Sequence, residues 1–218
     1  MKAYFISGLG ADKKAFYKLK LPAGYEPVYL DWITPQHNES LKEYAKRFSA
    51  SINNNEEFIL IGLSFGGMIA SEIARIKVPR KLILLSSVGA SDEMPWYFRM
   101  AGKFRLQRII PVAIYKRATL LNHFMGSKNK DDKAMLRSFV KQTDPAFIRW
   151  SINAILEWEQ HEPLNNIIHI HGNKDRLLPI RYTNASHTIV NGRHLMVLNK
   201  DAEINKILQE ILPSLMRN

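Results

Sequence analysis

Ser64 sits between two glycines in Gly62-Leu63-Ser64-Phe65-Gly66, and a serine so placed is a candidate nucleophile. The apolar run Phe58-Ile59-Leu60-Ile61 precedes it and the helical pattern Met68-Ile69-Ala70-Ser71-Glu72-Ile73-Ala74 follows it. A strand, a sharp turn and a helix in that order describe a nucleophile elbow. The glycines have a steric reason, because a serine held at a strained, nearly positive φ at the top of a strand leaves no room for Cβ atoms beside it. The plainer reading is a glycine-rich turn with a bystander serine, but neither G-x-x-x-x-G-K-S/T nor G-x-G-x-x-G is present to make it a phosphate loop. A hydroxyl is a weak nucleophile at neutral pH, so the chemistry also requires a base within reach and a group that orients the base. Two segments offer them: His171-Gly172-Asn173-Lys174-Asp175 follows the run Ile167 to Ile170, and Asn191-Gly192-Arg193-His194 follows Thr188 to Val190. Asp175 and His194 thus stand just beyond the C-terminal ends of two expected strands.

The elements that must hold these residues alternate between short apolar runs and helical patterns, the signature of a parallel sheet covered on both faces. Strands are expected at residues 3–6, 27–30, 58–62, 81–86, 167–171 and 187–190. Helices are expected at 11–20, 41–52, 67–76 and 202–215, the last with Ile204, Ile207, Leu208 and Ile211 on one stripe. The expected fold class is therefore α/β, a doubly wound and mostly parallel sheet of about six strands. Right-handed crossovers put all the C-terminal strand ends on one edge, where ligands bind in open α/β sheets.

The alternation stops between residues 91 and 161. That stretch holds no convincing strand but contains Met94, Trp96, Tyr97, Phe98, Phe124, Met125, Phe139, Phe147, Trp150 and Trp158. It reads as a helical lid insertion, with residues 1–90 and 162–218 forming the core. Asp144-Pro145 reads as a helix start, followed by Phe147, Ile148, Ile152, Ile155 and Leu156 at helical spacing. Most of these aromatics are expected to pack the insertion onto the sheet, and a few lining a pocket suffice for an apolar substrate.

The 218 residues are 46% hydrophobic, which suits one globular domain with an insertion. Cysteine is absent, so thiolate metal sites, disulfides and thiol nucleophiles are excluded. No segment reads as a signal peptide or a membrane span, and the expected location is the cytoplasm. The formal net charge of +11 raises the question of an anionic partner. Its one concentration is Arg99, Lys103, Arg105, Arg108, Lys116 and Arg117, which reads as a solvated helix face, with attraction to an acidic ligand or a membrane as the alternative. No nucleic-acid recognition motif accompanies the charge, and no nucleic-acid partner is expected.

With these motifs in register, residues 3–212 resemble the α/β-hydrolase fold family. Ser64, Asp175 and His194 match its nucleophile, acid and histidine in the family's chain order, and Ser7-Gly8-Leu9-Gly10 resembles its His-Gly-x-Gly oxyanion loop. The resemblance implies that His194 takes the Ser64 proton while Asp175 fixes the imidazole tautomer. It also implies that the backbone N–H groups of Phe65 and Leu9 hold the developing oxyanion. No metal and no organic cofactor are required. Two departures stand out: Ser7 replaces the loop's usual histidine, and only nineteen residues separate Asp175 from His194, so the helix there is expected to shrink to a turn around Leu178-Pro179-Ile180.

The implied reaction is esterase or thioesterase chemistry on a small, partly apolar substrate through an acyl-enzyme. The same scaffold also supports acyl transfer, carbon–carbon hydrolysis and cyanohydrin cleavage, or a low-turnover ligand receptor or signalling protein. Dehalogenation and epoxide opening are disfavoured, since those relatives carry aspartate where Ser64 stands. Among other candidates, His187 is on the wrong edge, His169 and His171 read as packed strand residues although His171 could approach the site, Asp31 reads as a turn and Asp12 as a cap. His123 and His161 belong to or border the insertion and receive no role.

Overall fold

A computed structural model of the chain describes residues 1–53, 55–105, 130–162 and 164–215. Its sheet has six strands: β1 (Lys2–Ile6), β2 (Glu26–Leu30), β3 (Phe58–Leu63), β4 (Lys81–Leu85), β5 (Ile167–Gly172) and β6 (His187–Ile189). They lie in the order β2-β1-β3-β4-β5-β6, and every neighbouring pair is parallel. The order reverses direction between β1 and β3, the switch point where open parallel sheets leave a crevice at their C-terminal edge. All six residues of β3 are buried. That explains its unbroken apolar run, because a central parallel strand is covered on both faces and has no polar side.

The helices are α1 (Leu41–Phe48), α2 (Phe65–Ala74), α3 (Trp96–Lys103), α4 (Lys130–Gln142), α5 (Pro145–Leu156), α6 (Met196–Asn199) and α7 (Asp201–Ile211). α1 opens with a capping box, Ser40 accepting from the Glu43 N–H while the Glu43 carboxylate accepts from the Ser40 N–H. α5 starts with Asp144 accepting from the Ala146 N–H and with Pro145 in its first turn, as the Asp-Pro pair predicts. One core cluster joins α1 and α2 to the sheet, and the other joins α6 and α7 to its opposite face.

The helix expected over residues 11–20 is replaced by a single 3-10 turn, Lys13–Phe16. An α-helix starting there would need the Ala11 carbonyl for the Ala15 N–H. That carbonyl is already taken by the Ser7 hydroxyl at 2.6 Å and the Trp32 indole N–H at 3.1 Å, so Ala15 bonds to Asp12 instead. The side chain of Asp12 caps this turn.

The excursion between β4 and β5 is helical in its described parts. α4 sends Leu136 and Phe139 into one core cluster, while α5 sends Phe147 and Ala154 into the other. Its described helices therefore contribute to the cores on both faces of the sheet. Its two ends meet, because the Ser91 N–H and hydroxyl both donate to the Gln160 carbonyl, at 2.8 Å each. His161 and Asp92 pair beside them at 2.8 Å. On α3 and just after it, Arg99, Lys103 and Arg105 are exposed. Arg108, Lys116, Arg117, His123, Phe124 and Met125 lie outside the described residues.

Candidate active site

β3 ends at Leu63, and the chain turns at once into α2. Ser64 makes that turn at φ 52° and ψ −121°, the left-handed region that a side chain normally avoids. The surroundings hold it there. The Ser64 N–H donates to the Leu85 carbonyl at 2.9 Å, and the Ser64 carbonyl accepts from the Gly67 N–H at 2.8 Å and from the Ser87 hydroxyl at 2.7 Å. Close approach explains the flanking glycines: a Cβ at Gly62 would stand 2.5 Å from the Gly67 Cα, and one at Gly66 would overlap the Ser7 carbonyl oxygen.

The acid and the histidine come from two loops that are tied together. The Lys174 N–H donates to the Gly192 carbonyl at 2.8 Å, the Asn191 N–H to the Asn173 side-chain oxygen at 2.8 Å, and the Asn173 N–H to the Ile189 carbonyl at 3.2 Å. This lacing lets a short interval bring Asp175 and His194 together, with only the 3-10 turn Ile180–Tyr182 where a longer helix could have stood.

Ser64 Oγ lies 2.8 Å from His194 Nε2, and His194 Nδ1 lies 2.8 Å from Asp175 Oδ2. Asp175 is held ionised: burial by itself would raise its pKa, but electrostatic attraction to His194 and hydrogen bonds from His171 and His194 outweigh it and keep the carboxyl well below the usual range. An ionised carboxylate only accepts, so the proton is on His194 Nδ1 and Nε2 is free to receive the Ser64 proton. Asp175 Oδ1 accepts from the Leu177 N–H at 2.8 Å and the Leu178 N–H at 3.0 Å. His194 and Asp175 are buried while Ser64 is partly exposed, so the line runs from the interior to an accessible hydroxyl.

The loop after β1 borders the same hydroxyl. A Cβ added at Gly8 would stand 3.5 Å from the Ser64 Cβ. Among the described residues neither the Phe65 N–H nor the Leu9 N–H has a protein acceptor, and Phe65 opens α2, where an N–H has no intrahelical partner. Ser7, in place of a histidine, anchors this loop by donating to the Ala11 carbonyl. Thr143, at the turn between α4 and α5, lies within hydrogen-bond distance of the Gly10 carbonyl at 3.1 Å.

No protein-family model matches the chain, and no match was found among curated proteins. Solved structures do match it. A lipase-esterase related protein from Clostridium acetobutylicum is 17% identical with a TM-score of 0.69, over 97% of this chain and 94% of that one. A thermophilic esterase is also 17% identical with a TM-score of 0.69, over 96% and 88%. An esterase from Exiguobacterium antarcticum is 14% identical with a TM-score of 0.68, over 97% and 91%. The chain has the α/β-hydrolase fold.

Within this α/β-hydrolase fold, the structure brings Ser64, His194 and Asp175 into one hydrogen-bonded line; Phe65 follows Ser64 directly, and Leu9 follows Gly8, which borders the Ser64 side chain. It leaves His187 apart, bonded to the Ser186 hydroxyl, and Asp31 exposed at the end of β2. No group of side chains suited to a metal occurs among the described residues, and no described helix is long and apolar enough to cross a membrane. Two contributors escape the sequence reading. Ser87 is one, since nothing in Ser86-Ser87 announces a bond to the elbow carbonyl. His171 is the other only in part: it is packed as expected, and its Nε2 also lies 3.2 Å from Asp175 Oδ2, the approach to the site that the sequence leaves open. The signal for it is its position four residues before Asp175, on the strand that delivers the acid.

Proposed function

We propose that the protein is a serine hydrolase that cleaves a carboxylic ester or thioester of a small, partly apolar substrate through an acyl-enzyme. The observation that carries this reading is the continuous line Ser64–His194–Asp175, with both links at 2.8 Å and the serine held at positive φ. In the proposed cycle Ser64 Oγ attacks the carbonyl carbon as His194 Nε2 takes its proton, and the imidazolium is stabilised by Asp175. The tetrahedral oxyanion is received by the Phe65 and Leu9 N–H groups, each donor being worth on the order of 3 kcal/mol in this kind of site. His194 then protonates the leaving alcohol or thiol, and water repeats the sequence in reverse to release the acid.

The preference for an acyl or alcohol group with apolar character is supported by the aromatic side chains around Phe65. Trp32 stacks on Phe65 at 5.5 Å between centroids and meets Phe147 at 5.3 Å, and Trp150 meets Phe65 edge-on at 5.9 Å. Both indoles are pinned, Trp32 to the Ala11 carbonyl and Trp150 to the Glu39 carbonyl, so this aromatic cluster beside the elbow is rigid. The residues between β4 and β5 act in this reading as the lid.

The test compares native protein with Ser64→Ala on a chain-length series of p-nitrophenyl esters and matching thioesters, alongside labelling by a fluorophosphonate probe. Native protein is expected to turn over the short members and to be labelled, and the variant to do neither. Labelling of the variant at another serine overturns the assignment. Labelling of native protein without turnover of any ester or thioester moves the protein to the receptor reading.

A further inference from the structure

Two buried histidines stand behind the acid. His169 and His171 alternate with isoleucines on β5 and share one face of the sheet, both buried, with ring centroids 5.0 Å apart. His169 Nε2 lies 2.9 Å from His171 Nδ1. His171 Nε2 lies 2.7 Å from the Leu178 carbonyl oxygen and 3.2 Å from Asp175 Oδ2. A carbonyl and an ionised carboxylate can only accept, so His171 carries its proton on Nε2 and shares it between them. Its Nδ1 faces His169 Nε2 across a single hydrogen bond, which joins the two rings.

We propose that His171 is a positioning residue for the acid of the catalytic line: its Nε2–H, with its ring held in place by His169, clamps Asp175 Oδ2 and the Leu178 carbonyl and so sets the direction and basicity of the carboxylate facing His194. This rests on the reading of Ser64, His194 and Asp175 as the catalytic residues. Asp175 then has a full set of donors, two backbone N–H groups on Oδ1 and two imidazoles on Oδ2. Burial without a purpose argues the other way, since a strand interior gains nothing by replacing aliphatic side chains with two adjacent imidazoles that must be desolvated. Burial and the neighbouring His171 push the pKa of His169 down to about 3, which keeps His169 neutral throughout the working range.

The direction of the electrostatic effect follows from the acceptor. Sharing Oδ2 with a second donor weakens the hold of the carboxylate on the His194 Nδ1–H, so His194 is a weaker base than it would be with Asp175 alone. The other ionisable groups facing this carboxylate are Tyr97 from α3, whose hydroxyl donates to the Leu177 carbonyl, and Arg181 and Tyr182 near it; Lys174 and Arg176 flank it on its own loop. None of them lies between His171 and Oδ2.

The experiment measures the rate of fluorophosphonate labelling against pH for native protein, His171→Leu, His171→Gln and Ser64→Ala, with near-ultraviolet circular dichroism as the fold check. In His171→Leu the plateau rate is expected to fall about tenfold, the size of one hydrogen bond to a charged group, and the acid limb to move up by about half a pH unit. His171→Gln, whose amide can donate from nearly the same point, is expected to restore both. Folded His171→Leu with native rate and an unmoved limb overturns the proposal while leaving the catalytic line intact. Labelled Ser64→Ala instead removes the reading on which the proposal stands. Should His171→Leu fail to fold, imidazole nitrogen-15 spectra of native protein decide: a His171 protonated on Nε2 supports the clamp, and one bare at Nε2 refutes it.

Discussion

Replacing His169 with glutamine should flatten the acid side of the stability curve. His169 is buried, and its pKa falls from an ordinary 6.5 to about 3 because of burial first and of His171 second. A base whose pKa is depressed by folding binds protons better when unfolded, so its contribution to stability is complete above pH 6.5 and drains away as the pH falls towards 3. Each pH unit inside that window is worth about 1.4 kcal/mol. Across the whole window the loss is about 4 to 5 kcal/mol, and between about pH 6.5 and 4.5 it is about 2 kcal/mol, a sizeable part of the stability of an ordinary domain. The pKa of Asp175 is lowered too, so its contribution is lost only below the usual carboxylate range and does not overlap the upper part of this window. Urea unfolding followed by tryptophan fluorescence at pH 6.5, 5.5 and 4.5 measures the effect. Native protein should lose about 2 kcal/mol more than His169→Gln over that interval, whatever the difference between them at neutral pH. Parallel slopes for the two proteins would refute the reasoning, because every other titrating group is common to both.

Three further outcomes are expected. Asp175→Asn should lower turnover on the order of ten-thousandfold by favouring the wrong His194 tautomer, measured as kcat on a short p-nitrophenyl ester, and a loss below tenfold would separate the acid from the reaction. Ser87→Ala removes the hydroxyl bonded to the Ser64 carbonyl and should lower thermal stability by about 1 kcal/mol and slow fluorophosphonate labelling, whereas unchanged labelling would show that the Gly67 N–H holds the elbow unaided. Gly66→Ala drives a Cβ into the Ser7 carbonyl and should cost about 2 to 4 kcal/mol in urea unfolding together with all labelling; a stable, labelled variant would contradict the packing of the elbow.

Much of this molecule is legible in its sequence, for identifiable reasons. The strands are visible because both faces of a parallel sheet are dry, so β3 and β4 are written as plain apolar runs. Ser64 is visible because its strained turn demands small neighbours, and Asp175 and His194 because they follow strands closely. The 3-10 turn at Lys13–Phe16 is not, since its cause is a carbonyl captured by Ser7 and by Trp32 from beyond the next strand. α4 is not singled out either, because its buried Leu136 and Phe139 are spaced among Asp131, Asp132, Lys133, Arg137 and Lys141. His171 is hardest of all, because packing and contact with the acid are both accomplished by one ring, and a periodic pattern reports only the packing.

The neck at Ser91 and Gln160 has consequences for how such a chain can vary. Because the start and finish of the excursion are hydrogen-bonded to each other, the sheet experiences it as little more than a tight loop, whatever its length. Loop-closure entropy grows only slowly with added residues, so insertions and deletions within the excursion are expected to leave the register of β4 and β5 undisturbed. The excursion is in effect an exchangeable cassette, and a foreign one can be grafted at this junction without rebuilding the sheet that carries it.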